Sequence, residues 1–150
     1  MKFLFLLFFI SPIYSQTLQL GDEIPKFEYE TQREEKKALS EEVKTLVFTS
    51  EMEASKIAHS LFEKEGEEYL KKNFVFFLSD IHKMPSLITR FVALPKMKKY
   101  NYSIHLIKES GQGDIFPKQK AMLTVLKLKN LKVLSINYAK DEIELRKLIE

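Results

Sequence analysis

The chain of 150 residues contains no cysteine and no tryptophan. Without a cysteine thiolate it cannot form disulfides, Cys-ligated zinc sites or iron–sulfur clusters, and it has no sulfur nucleophile. Glycine and proline are also scarce, with 4 and 5 residues, whereas 45% of the chain is hydrophobic and 30% is charged. This balance is typical of one globular domain and excludes a disordered or collagen-like chain.

Long apolar runs are lacking except at the N-terminus. Residues 3–10 read FLFLLFFI after the positive charge of Lys2, and Pro12 and the small residue Ser15 follow. This is the layout of a secretory signal peptide. A membrane-spanning helix needs ~20 apolar residues, so this run is too short to serve as a membrane anchor. We expect residues 1–15 to be a signal peptide and residues 16–150 to form a periplasmic or secreted domain with no stable membrane span. The alternative is a buried N-terminal strand.

Acidic residues are scarce in the second half of the chain. Residues 16–80 contain 9 Lys and Arg against 15 Asp and Glu, whereas residues 81–150 contain 14 against 6. Such asymmetry can steer an anionic partner or favour head-to-tail contact between copies, but it also fits solvated faces whose charges pair within the molecule. The basic residues are spread out and lack an interleaved aromatic platform, so we expect no nucleic-acid binding.

Short apolar runs alternate with amphipathic segments after residue 45. Strands are predicted at residues 46–48, 74–78, 102–108, 122–128 and 131–138. Apolar spacings of three and four predict helices from 51 to about 72, from 84 to about 92, and from 141 to 149. Residues 18–27 are interpreted as an extended lead-in and 32–37 as a charged turn. The order predicts an α/β fold with a central mixed sheet of about five strands, flanked by helices on both faces.

Two helix starts carry the pattern of a capping box. In Ser50–Glu53 and again in Asp141–Glu144, an N-cap side chain is followed three residues later by glutamate. In such a box the first side chain accepts a bond from the amide of the fourth residue, and the glutamate reaches back. We therefore expect helices to begin at both places.

The strand order and two segments resemble the thioredoxin-like superfamily. Residues 18–27 (LQLGDEIPKF) are similar to the entry segment of peroxiredoxins, and residues 48–56 (FTSEMEASK) lie where thioredoxin-like proteins carry their two-cysteine motif. Small exported redoxins of the YtfJ type are the most similar branch in length, signal peptide and the 123–148 ending. The resemblance covers nearly all of residues 16–150 and implies a thioredoxin-like fold.

The resemblance places Met52 at the nucleophilic cysteine and Ser55 at the resolving one. A methionine has no ionisable proton and a serine hydroxyl is far too basic to replace a thiolate, so thiol–disulfide exchange and Cys-peroxidase activity are excluded. Thioredoxins also carry a cis-proline directly before the following strand, whereas Pro117 lies a few residues before it. We expect no catalytic residue, no cofactor and no metal in this protein.

A fold kept without its thiols suggests a binding role. The candidate partner-binding edge consists of Ser50, Glu51, Met52 and Glu53 together with Phe116 and Pro117. The sequence therefore predicts a non-catalytic binding or assembly module of the cell envelope with a protein partner, and it leaves the oligomeric state open.

The alternative is a Cys-independent enzyme or a metal-binding protein that uses His59, His82 and His105. These are the only histidines. Imidazole is a common metal ligand, but a metal site needs two or three histidines that converge and hydrogen-bond partners that orient their rings. Their spacing does not demand convergence.

Overall fold

The computed structural model describes residues 16–150, which fold around one seven-stranded mixed sheet. The predicted signal peptide, residues 1–15, lies outside the described residues. The strands are β1 (Glu28–Thr31), β2 (Lys36–Ala38), β3 (Thr45–Thr49), β4 (Val75–Asp80), β5 (His105–Ile107), β6 (Leu123–Lys129) and β7 (Lys132–Ala139). The helices are α1 (Met52–Lys72), α2 (Ser86–Ile88), α3 (Leu94–Met97) and α4 (Glu142–Ile149), with a π-helical turn (Thr89–Ala93) between α2 and α3.

The sheet order is β2-β1-β5-β4-β3-β6-β7. Strands β3, β4 and β5 are parallel, β6 runs antiparallel to β3, and β7 pairs antiparallel with β6. All five strands predicted from the apolar runs are present, and the mixed sheet flanked by helices is confirmed. Within residues 16–150 the helices do not lie on both faces as predicted, because α1, α3 and α4 all pack against one core, whereas the core on the opposite face contains only residues of strands and connecting segments. The parallel strands place the ends of β3 and β4 at one edge of the sheet, where the chain enters α1 and the segment before α2.

Two strands were not predicted. The β1–β2 hairpin pairs Glu28 with Ala38 and Glu30 with Lys36, and it extends the sheet beyond β5. All of β2 is exposed, and three of the four residues of β1 are polar, so neither strand carries the apolar run that marks the central ones. The prediction of about five strands is therefore corrected to seven, and residues 32–37 are part of a hairpin.

Each face of the sheet carries its own hydrophobic core. One core packs Val47 and Phe77 against Leu61 and Phe62 of α1 and Leu145 of α4. The other lies on the opposite face, because successive side chains of a strand point to opposite sides. It contains buried side chains of the strands, the lead-in and the β5–β6 loop: Leu18, Ile24, Leu46, Phe48, Phe76, Leu78 and Phe116.

Helix α1 is interrupted at Gly66, which has φ 73° and ψ −176°. The backbone oxygen of Asn101 accepts a hydrogen bond from the amide of Glu67 (3.0 Å), and the Asn101 side chain donates to the carbonyl of Glu63 (3.4 Å). An outside residue thus satisfies the backbone groups that the break releases.

Among the described residues, no helix is long and apolar enough to cross a membrane.

Ion pairs join the acidic and basic halves of the chain. Lys108 pairs with Glu30 (3.3 Å), and Lys64 pairs with Glu142 (2.7 Å). Arg146 pairs with Glu65 (2.5 Å). Together with Lys98–Glu34, two of these pairs set a base of the second half against an acid of the first, so part of the charge asymmetry is compensated within the molecule.

Candidate functional site

Met52 and Ser55, which the resemblance places at the two thiol positions, lie where β3 leads into α1. Met52 is the first residue of α1, and 72% of its surface is exposed. Ser55 lies one turn on, and its hydroxyl donates to the backbone oxygen of Glu51 (3.0 Å). The structure thus places both residues at the start of the helix, with a thioether directed to solvent and a hydroxyl occupied by the backbone.

The capping box predicted at Ser50 is wrong. The N-cap is Glu51, in an extended conformation, and no side chain caps the helix. The Thr49 hydroxyl accepts from the amide of Glu51 (3.3 Å) and donates to its carbonyl oxygen (3.1 Å), which fixes the turn at the end of β3. The helix therefore begins one residue later than a box starting at Ser50 requires.

Glu51 connects the start of α1 to the loop before β6. Its Oε2 accepts a hydrogen bond from the amide of Ala121 (3.0 Å), and the hydroxyl of Thr124 donates to the carbonyl of Pro117 (2.5 Å). These two bonds hold the 117–121 segment beside the helix start. The N-cap carboxylate is thus already used by the protein itself.

Of the predicted partner-binding edge, Phe116 is buried, with 1% of its surface exposed. Its ring stacks on Phe48 with centroids 4.5 Å apart, so it supports the edge from beneath and offers a partner no surface. Glu51, Met52 and Glu53 are exposed, whereas Ser50 and Pro117 are half-buried. No peptide bond of residues 16–150 is cis, so the bond before Pro117 is trans.

The edge is a surface and not a pocket. The cavity between the start of α1 and the β6 loop, lined by residues such as Ser50, Lys118 and Met122, has a volume of about 10 Å³. A cavity of that size holds at most about one water molecule. The carboxylates of Glu51 and Glu53 also supply negative charge at the helix N-terminus, which disfavours a bound anion. A protein surface fits this shape better than a small molecule does.

His59 and His105 lie on opposite faces of the sheet. On α1, His59 is hydrogen-bonded through Nδ1 to the Tyr102 hydroxyl and packs edge-on against Phe77 in the first core. On β5, the ring of His105 stacks on Phe76 of the second core, 3.7 Å between centroids, and its Nδ1 donates to the carbonyl of Phe77 (3.0 Å). The sheet separates the two rings, so they cannot share a ligand.

Burial shifts the titration of both histidines. Desolvation, helped by the positive charge of Lys96, lowers the pKa of His59 to about 4. Desolvation also lowers the pKa of His105 to about 4, with a smaller contribution from Lys37, against the raising effect of its bond to Phe77. Both rings are therefore neutral at pH 7 and act as core side chains.

His82 lies at a third place, beyond the end of β4. Its Nδ1 is 2.6 Å from Oδ1 of Asp80, and the same oxygen accepts from the His82 amide (3.1 Å). The structure thus brings none of the three histidines together. Residues 16–150 contain no group of three His, Cys, Asp or Glu side chains placed to hold a metal ion. The three histidines therefore form no common metal site within residues 16–150.

The Asp80–His82 pair was missed by the sequence analysis. Asp80 is the last residue of β4, its side chain is 1% exposed, and its Oδ2 is buried without a hydrogen-bond partner. A cavity of about 370 Å³ opens beside His82, with Arg90 and Lys108 in its wall. A buried carboxylate such as that of Asp80 can fix the orientation of the His82 imidazole. The only available signal was an acidic residue at the end of an apolar strand, which is common at strand ends.

No protein-family model and no curated protein matches the sequence. Solved structures match in shape. A protein disulfide isomerase homologue from Bacteroides thetaiotaomicron superposes with a TM-score of 0.60 at 16% identity, over 88% of this chain and 86% of the other. A DsbE-like thiol:disulfide interchange protein from Chlorobium tepidum gives 0.58 at 14% identity, over 89% and 96%.

The peroxidoxin BcpB from Mycobacterium tuberculosis gives a TM-score of 0.56 at 12% identity, over 88% of this chain and 94% of the other. At these identities the likeness concerns the fold alone. The matches include disulfide-exchange proteins, whose two-cysteine motif residues 48–56 resemble. They also include a peroxidoxin, and residues 18–27 resemble the entry segment of that group. The chain therefore has a thioredoxin-like fold that contains no cysteine.

Proposed function

We propose that the protein is a non-catalytic binding or assembly module of the cell envelope, exported by residues 1–15. The observation that carries the proposal is Met52, a large apolar side chain that is 72% exposed at the start of α1 in a thioredoxin-like fold. A chain that folds in this way without cysteine keeps the shape of the site and has no thiol chemistry to perform there. Binding is the function that such a site can still support.

The proposed contact surface consists of Glu51, Met52 and Glu53, with the half-buried Ser50 and Pro117 beside them. The hydrogen bond that Glu51 accepts from Ala121, in the loop before β6, holds this surface in one shape before any partner arrives. A preformed surface loses less conformational entropy on binding. Methionine adapts to irregular apolar partners, and the two carboxylates favour a partner with basic residues around an apolar contact.

Site-specific crosslinking in cells tests the proposal. A photoreactive amino acid replaces Met52, and the matched control carries it at Ile143, which is 80% exposed in the first turn of α4. We expect a discrete crosslinked product from position 52 in the envelope fraction and none from position 143. Charge reversal by Glu53→Arg should reduce that product at least about tenfold, because it replaces attraction by repulsion.

Three results would contradict the proposal. The first is equal crosslinking from positions 52 and 143, since this would indicate non-specific contact. The second is the absence of any product at position 52 in a protein that is shown to be folded. The third is recovery of the protein outside the envelope with residues 1–15 still attached, which would remove the proposed compartment.

A further inference from the structure

A second surface of the protein exposes large apolar side chains close together. Leu87, Ile88, Phe91 and Val92 are 69, 47, 65 and 57% exposed, and we refer to these four residues as the apolar ridge. No residue of α2, the π-helical turn or α3 is buried. The ridge residues are four apart in two pairs, so they lie side by side on one face of the helical segment. Neighbouring exposed apolar residues of this kind mark interaction sites.

The other side of the same segment attaches it to the molecule. Leu94 and Met97, together with Met84 before α2, are partly buried and pack against the first core. Since these residues face inwards, the ridge is left facing outwards. It contains none of the residues of the proposed contact surface at the start of α1.

All charged side chains in the segment around the ridge are basic. Between residues 81 and 108 there are six lysines and arginines and no acidic residue. Lys98 and Lys108 pair with glutamates of the first half of the chain. Within residues 16–150, the remaining four basic residues have no ion-pair partner: Lys83, Arg90, Lys96 and Lys99. The ridge therefore stands among positive charges that are available to an anionic partner.

The charges also decide between possible occupants. A second copy docked ridge to ridge would bring the basic residues of both copies together, which is repulsive. The acidic half of another copy would attract the charges, but its exposed large apolar residues in the described part, Leu20, Met52 and Phe74, are far apart in sequence and belong to different segments. An anionic bilayer offers both an apolar layer and a dense array of phosphates.

From this combination we infer that the apolar ridge binds the surface of an anionic phospholipid membrane. The four side chains enter the boundary between headgroups and acyl chains, and Lys83, Arg90, Lys96 and Lys99 lie at the level of the phosphates. Basic residues beside an exposed apolar helical face, such as Arg90 over the ring of Phe91, are the features that place a protein at a membrane interface without spanning it. The surface acts independently of the proposed protein contact at α1.

Vesicle co-sedimentation tests the inference. The full chain and a form that starts at Gln16, each checked for folding by circular dichroism, are mixed with vesicles of phosphatidylethanolamine and phosphatidylglycerol or of phosphatidylcholine alone. The shorter form removes residues 3–10 as a source of apolar binding. We expect the shorter form to bind the anionic vesicles at least about tenfold more tightly than the zwitterionic ones, and more weakly as salt increases.

Variants of the ridge identify the binding surface. Leu87→Ser and Phe91→Ser should each weaken binding to anionic vesicles about tenfold. Leu20→Ser is the matched control, because Leu20 is 65% exposed like Phe91 and should leave binding unchanged. Arg90→Glu should weaken binding to the anionic vesicles only. Equal binding by parent and ridge variants, equal binding to both kinds of vesicle, or a ridge-dependent dimer in sedimentation without vesicle binding would overturn the inference.

Discussion

Gly113 lies against the buried carboxylate of Asp80, and no larger residue fits there. A Cβ atom at position 113 would stand 2.0 Å from Oδ2 of Asp80 and 2.9 Å from its Cγ. Because Asp80 is itself held by His82, its side chain cannot move away freely. We expect Gly113→Ala to reduce the free energy of unfolding by about 1–3 kcal/mol, the usual cost of overpacking a buried site. Urea unfolding measures the change.

The cause of that loss can be isolated with a double-mutant cycle. If the clash is responsible, Gly113→Ala should cost much less in an Asp80→Ala background, because the carboxylate is then absent. Gly111→Ala is a useful comparison, since a Cβ there would meet nothing within 4 Å and only the positive φ of 94° would oppose it. An equal cost of Gly113→Ala with and without Asp80 would show that the carboxylate is not the obstacle.

At the scale of one element, the break in α1 reverses the usual effect of replacing a helical glycine. In a regular helix, Gly→Ala stabilises by about 1 kcal/mol. Gly66 instead has φ 73° and ψ −176°, a region that is essentially restricted to glycine. We therefore expect Gly66→Ala to destabilise by about 1–3 kcal/mol in urea unfolding, whereas Glu68→Ala, on the exposed surface two residues later, stays within about 0.5 kcal/mol. Stabilisation by Gly66→Ala would mean that α1 is continuous.

The sequence predicted those elements whose patterns arise from burial. Strands β3 and β4 are fully or almost fully buried and therefore appear as apolar runs. The start of α4 was also predicted correctly, because Asp141 accepts from the amide of Glu144 at 2.8 Å. The β1–β2 hairpin was missed since its exposed residues carry no such pattern. At α1 the same capping pattern failed because the Thr49 hydroxyl already fixes the turn.

The candidate site was predictable only in part. The positions of Met52 and Ser55 at a helix start follow from local sequence and from the resemblance, and the structure places them there. The burial of Phe116, the separation of the histidines and the Asp80–Gly113 contact depend on how distant segments pack. No local pattern encodes such contacts, because each joins residues that are far apart in the sequence.

At the scale of the whole molecule, neutral histidines packed against both cores connect stability to pH. His59 and His105 each have a pKa of about 4 in the folded protein, below the value of 6.5 for an exposed histidine. Below pH 6.5 both histidines thus become protonated in the unfolded chain while they stay neutral in the folded protein. The histidine contribution to stability is fully present above pH 6.5 and is lost as the pH falls towards about 4.

Urea unfolding between pH 4.5 and 7.5 measures this loss. We expect the free energy of unfolding to fall below pH 6.5 with a slope that approaches about 1.4 kcal/mol per pH unit for each histidine. His59→Gln and His105→Gln should each remove about half of the slope that the two histidines contribute, independently of their effect on stability at pH 7.5. The double variant should keep only the pH dependence that carboxylates contribute. The carboxylate of Glu142, whose pKa is lowered by its bonds to Lys64 and Ser60, adds to the loss at the acidic end. A slope that is unchanged in the double variant would show that neither core histidine governs acid stability.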